Sequence, residues 1–145
     1  MNKKGFTLIE LLVVIAIIGV LSTLAVVALG SARQKANDAK RLSDIRQVQT
    51  ALELYYTDNN AYPTTTGTGI TLGDSSHNCL DTNGFSASCT SAYMGLVPSD
   101  PIAAQSYTYI ATVGTAYQIT ANLEVGAGGF DSGVVTATES GIVGQ

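Results

Sequence analysis

Glu10 is the only ionisable side chain in an apolar run that extends from Phe6 to Leu29. A carboxylate in hydrocarbon costs at least about 2.5 kcal/mol unless something neutralises it, so its presence implies a partner. Immediately before the run stand Met1, Asn2, Lys3, Lys4 and Gly5, a short basic leader ending in a residue small enough for a peptidase pocket. Far from this pair of features lie Cys79 and Cys89, the only two cysteines, whose spacing suits a local disulfide in an oxidising compartment. With His77 they supply three zinc-type ligands, but no paired Cys-x-x-Cys accompanies them. The disulfide is therefore preferred to a metal, and His77 is read as an exposed loop residue. No enzyme is expected: a single histidine in a Ser-rich loop makes no triad, and Gly126 to Gly129 opens no helix and precedes no lysine, so it is a turn rather than a phosphate loop.

The apolar run sets the first element. As a helix, Phe6 to Leu29 spans about 36 Å against a hydrocarbon core of about 30 Å. A secretory signal peptide has an apolar core of only roughly 7 to 15 residues, although Leu29-Gly30-Ser31-Ala32 imitates its exit. An uncleaved single-pass anchor fits the length and leaves Glu10 unexplained. A buried core helix fits less well still, because the run is apolar all round and the chain is too short to enclose it.

Lys3-Lys4-Gly5 followed by Phe6-Thr7-Leu8-Ile9-Glu10-Leu11-Leu12 closely resembles the processing site of type IV pilins and of the related type II secretion pseudopilins. The resemblance implies that prepilin peptidase cuts between Gly5 and Phe6 and that the new N-terminal Phe6 is N-methylated. It also implies that Glu10 pairs with the Phe6 amine of a neighbouring subunit as a filament grows. Methylation leaves that amine charged, and two charges unfavourable singly in lipid become tolerable as a pair that contributes more to register than to stability. Many type IV pilins have a helix-breaking proline where this chain has Val27, so local melting near Gly19 is in doubt.

Charge is segregated along the chain. All seven basic residues, Lys3, Lys4, Arg33, Lys35, Lys40, Arg41 and Arg46, lie in its first third, and from Gln47 onward only acids occur. Such a head repels nucleic acid, so no direct nucleic-acid partner is expected. The cluster Arg33 to Arg46 would by itself draw its end of the membrane segment to the cytoplasm. The resemblance demands the opposite topology, with the leader inside and the head outside. In a staggered polymer, Arg33, Lys35, Lys40, Arg41 and Arg46 are candidates to meet an acidic head surface on another subunit; otherwise they solvate the helix and meet lipid phosphates.

After the run, Ala32, Ala36, Ala39, Leu42, Ile45, Val48, Leu52 and Tyr55 recur every three or four residues, which predicts an amphipathic helix over 30–57 continuing the first, with Gly30-Ser31 a candidate bend. Asp58-Asn59-Asn60 and the restriction that Pro63 places on Tyr62 end it. The head, 58–145, reads as mostly loop over 58–101 and a sheet over about 105–140. In the sheet Tyr107, Tyr109 and Ala111, then Tyr117, Ile119, Ala121 and Leu123, alternate with polar neighbours, and Gly133 to Thr138 makes a third strand. The fold class is α+β: a long N-terminal helix, with a membrane or filament-core half at 6–29, packed on a small antiparallel sheet.

The expected function is structural, that of a major pilin of a type IV pilus. The alternatives are a secretion or competence pseudopilin and, from another class, a monomeric membrane-anchored binding module. The partners implied by the resemblance are further copies of the chain, prepilin peptidase, an assembly platform with its ATPases, minor pilins, and the membrane before assembly. The chain would pass once through the cytoplasmic membrane before assembly and reach the cell surface in the filament. No cofactor is expected. Calcium, which secretion pseudopilins hold in a C-terminal acidic loop, would find only Asp131, Glu139 and neutral oxygens there.

Overall fold

The computed structural model describes residues 5–144. A helix, α1 (Leu8–Asn59), precedes seven short strands: β1 (Ile70–Leu72), β2 (Cys79–Asp81), β3 (Gly84–Ser86), β4 (Tyr107–Ile110), β5 (Gln118–Leu123), β6 (Gly133–Thr138) and β7 (Gly141–Gly144). The fold is α+β. The chain divides into two compact units, one ending at Gln34 and the other starting at Lys35.

In the first unit every residue from Gly5 to Gln34 is exposed, including the whole apolar run. This part of α1 is long and apolar enough to cross a membrane by length and composition. α1 runs through Gly30 and Ser31 without a break.

In the second unit α1 buries Asp38, Arg41, Leu42, Asp44, Ile45, Val48, Ala51 and Leu52. The apolar stripe was expected to begin at Ala32, but Ala32, Ala36 and Ala39 are exposed. A methyl group has little area to gain by burial, and the buried face here is taken instead by charged residues that find partners in the head. Asn60 ends the helix in the left-handed region at φ 52°, its amide donating to the Tyr56 carbonyl at 2.8 Å. That is an asparagine version of the usual glycine stop. Two residues on, the Tyr62 amide donates to the Gly114 carbonyl at 2.7 Å and ties the end of the helix to the β4–β5 connection.

The main sheet has the order β1-β4-β5-β6-β7 with every neighbour antiparallel. Tyr107 and Tyr109 of β4, Ile119, Ala121 and Leu123 of β5, and Val135 and Ala137 of β6 face inward and meet Leu42, Ile45, Val48 and Leu52 of α1. Alternation puts Thr108, Thr120 and Thr136, paired in register, on the less buried face.

Two expectations need correction. The stretch 58–101 is not only loop, since β1 joins the main sheet against β4 and β2 pairs with β3 in a separate hairpin. Strands of three residues are too short to show a period, so only the loop-like composition of this stretch is visible in the sequence. The sheet also continues past residue 140: Glu139 and Ser140 turn the chain, and β7 pairs Ile142 with Ala137.

Candidate functional site

Of the leader, Met1 to Lys4 lie outside the described residues. Gly5 and Phe6 precede α1 and belong to no helix or strand, and Phe6 is 87 % exposed. The first turn of α1 gives Glu10 a partner that the sequence reading missed. Its carboxylate oxygen accepts from the Thr7 amide at 2.8 Å and from the Thr7 hydroxyl at 2.6 Å. The Thr7 hydroxyl oxygen in turn accepts from the Glu10 amide at 3.3 Å. This is a capping box, and its Thr-x-x-Glu signature stands in the sequence at 7–10. Within one chain, then, the lone acid is tied to the start of its own helix, with unused acceptor capacity for an amine.

Arg41, proposed from sequence for contacts between subunits, is placed differently. Its side chain is fully buried inside the head and surrounded by three carboxylates. Nε and Nη2 make a forked contact with Asp100 at 2.7 and 2.9 Å, while Nη1 reaches Asp38 at 2.7 Å and Glu124 at 2.9 Å. The guanidinium suits this role because it presents donors in a planar fork and stays charged when buried. Asp38 completes the lock, accepting the amides of Glu124, Val125 and Gly126 at 2.8 to 2.9 Å. Burial pushes the Asp38 carboxyl up, but these amides and Arg41 outweigh it and hold the group below the usual carboxylate range. Gly126 can close over the carboxylate because it sits at φ 92°, where a Cβ would lie 2.5 Å from the Phe130 carbonyl oxygen. Asp44, also buried, accepts the Tyr107 hydroxyl at 2.9 Å, and burial raises its carboxyl above the ordinary value.

Arg33, Lys35, Lys40 and Arg46 are all exposed. Cys79 and Cys89 form a disulfide with their Cα atoms 6.1 Å apart. His77 lies beside Asp74 instead, Nδ1 to Oδ1 at 3.0 Å. Among the described residues no three His, Cys, Asp or Glu side chains are grouped to hold a metal ion; Asp131 and Glu139 are exposed.

A membrane-length apolar helix with a capped glutamate in its first turn, leading into a small head of antiparallel strands, defines the pilin and pseudopilin class of subunit. The chain belongs to the type II secretion system protein G family, which matches residues 28–138, and residues 1–30 match the prokaryotic N-terminal methylation motif. It is similar to the type II secretion system core protein G of Escherichia coli strain K12, 49% identical over 64 residues covering 44% of each chain. The protein of the same name from Aeromonas hydrophila is 48% identical over 64 residues, 44% of this chain and 45% of that one. The type IV wide pilus major component PilA4 of Thermus thermophilus is 43% identical over 72 residues, 50% of this chain and 55% of that one. The chain thus spans about half, or less, of the length of these curated relatives. No solved structure matches it significantly.

Proposed function

We propose that this chain is a filament-forming subunit of the protein G kind, a pseudopilin that polymerises through α1 in a type II secretion pseudopilus. The observation that carries this reading is the protein G match over residues 28–138, because it takes in stem and head together and not only the N-terminal motif. In this reading prepilin peptidase removes residues 1–5, Phe6 is methylated, and the chain waits in the membrane as a single-pass precursor. Glu10, held meanwhile by Thr7, pairs with the Phe6 amine of the next subunit on assembly. Assembly ATPases and minor subunits act on it from outside the chain, and its own work is polymerisation rather than catalysis.

The type IV pilus reading, first favoured from sequence, becomes the second choice; the likeness to a wide-pilus major component over 72 residues supports it. Deleting the gene separates the two. Loss of exoprotein release with surface filaments intact is expected for the pseudopilin, whereas loss of sheared surface filaments with secretion intact makes it a pilin. Mass spectrometry of the mature chain should find methylated Phe6 at the N-terminus, and Gly5→Val should leave an uncleaved precursor. Glu10→Ala should be inserted and cleaved yet assemble poorly; recovery of the wild-type chain only as a monomer would favour the membrane-anchored binding module.

A further inference from the structure

A groove on the head takes no part in assembly as proposed above. It measures about 350 Å³ and lies between the β2–β3 hairpin and the segment following α1. Both walls are held rigidly. The hairpin is closed at its base by the Cys79–Cys89 disulfide, and its turn is set by Asp81, whose carboxylate accepts the Asn83 amide at 2.8 Å. Phe85 on that wall is packed on Tyr109 with ring centroids 4.9 Å apart. Opposite, the Pro63 carbonyl accepts the Tyr109 hydroxyl at 2.8 Å, and Thr65 exchanges bonds with Ala111 at 2.7 and 3.1 Å. Such a groove is formed before any ligand arrives.

The lining has a mixed character without formal carboxylate or lysine or arginine charge. Tyr55, Phe85 and Ile70 offer apolar faces, while His77, Asn83 and the threonines at 64–66 offer hydrogen-bonding groups. Partial burial pushes the Asp74 carboxyl up, but the Ser76 and His77 amides bring it below the ordinary value, so it stays ionised and can only accept. The Asp74 contact engages His77 Nδ1 at 3.0 Å and leaves Nε2 without a partner among the described residues, open to a ligand hydroxyl. An ionic ligand would find no carboxylate, lysine or arginine in the lining to pair with. A wholly apolar one would leave its polar groups without partners.

We propose that this groove binds a neutral saccharide, a ring lying against Tyr55 and Phe85 with its hydroxyls hydrogen-bonded to His77, Asn83 and the threonine segment. A pyranose has the required form, one apolar face of C–H groups and an edge of hydroxyls, and it carries no charge.

The test uses the full chain in detergent micelles, unassembled, so its outcome is independent of the filament reading. The probes are two neutral trisaccharides, cellotriose and N,N′,N″-triacetylchitotriose. His77 is the only histidine of the chain, so its Hε1 proton gives one resolved imidazole NMR signal that serves as the reporter. That signal should move saturably as one of the two is added, with saturation transfer to the sugar ring protons. His77→Ala with Asn83→Ala should weaken binding by about tenfold or more, as expected for two lost hydrogen-bonding partners, at unchanged melting temperature. If neither trisaccharide moves the wild-type His77 signal, or the folded double variant binds as the wild type does, the proposal is overturned.

Discussion

Arg41 shows how much a single side chain can decide in a small head. Its guanidinium stands among three carboxylates from separate parts of the chain, Asp38 on α1, Asp100 before β4 and Glu124 after β5. Arg41→Met would leave buried negative charges without a counter-charge, and removal of one partner from such a cluster costs about 3 to 5 kcal/mol. Urea unfolding should show that loss, with Arg41→Lys intermediate because it restores charge but not the fork. A stability equal to wild type in Arg41→Met would mean that the cluster is not a lock. Lys40 and Arg46 differ in kind, since they are exposed. Reversing both to Glu should leave monomer stability within about 0.5 kcal/mol of wild type. The same change should weaken filaments at low salt if the stem meets acidic heads; filaments of normal yield would reduce these bases to a solvated face. From sequence alone the two groups of bases look alike, because charge on a helix is ordinarily solvent-facing. The distinguishing sign was phase: Asp38 and Arg41 fall on the same turn-by-turn stripe as Leu42 and Ile45.

At the level of elements, legibility followed length and period. The inward positions of β4 and β5, Tyr107, Tyr109, Ile119, Ala121 and Leu123, with Tyr117 just before β5, are legible in the sequence because alternation over four to six residues is a direct print of a half-buried strand. The stop of α1 at Asn59 was legible for a similar reason, through its turn chemistry and the following proline. The strands β1, β2 and β3 were not, being three residues each and set by partners distant in sequence. For β2 and β3 the readable sign was the cysteine pair that closes over them. Loop closure by this short ring removes about 2 to 3 kcal/mol of unfolded-state entropy, so Cys79→Ser should lower head stability by that amount in denaturant titration. A smaller loss would mean that the hairpin is held by Leu80 and its pairing with Met94 rather than by the cross-link. Loss of filaments in this variant would then report degradation of the head rather than a missing contact between subunits.

For the molecule as a whole, the core is unusual in being built on tyrosine. Tyr62, Tyr107, Tyr109 and Tyr117 are each at most 5% exposed, and three of their hydroxyls are bonded to Glu53, Asp44 and the Pro63 carbonyl. Burial raises all four above the ordinary tyrosine value of 10.0, Tyr117 to about 12 and the other three further, with Asp44 adding to the shift at Tyr107 and Glu53 at Tyr62. The folded state therefore keeps these protons at pH values where the unfolded chain has released them. The stability they contribute is complete below about pH 10 and falls as pH climbs from there toward the folded values. On the acid side the effects oppose one another. Asp38, held low, loses its contribution as pH falls below its ordinary 3.8, while Asp44, held high, is relieved by protonation over the neighbouring range. The head should consequently withstand mild acid better than strong base. An alkaline titration should show four tyrosines ionising late and together, in a steep step of tyrosinate absorbance that coincides with loss of the circular dichroism signal of the folded head. A gradual titration of all seven tyrosines near pH 10 with the signal retained would show that the hydroxyls reach solvent and that the aromatic core is not what holds helix and sheet together.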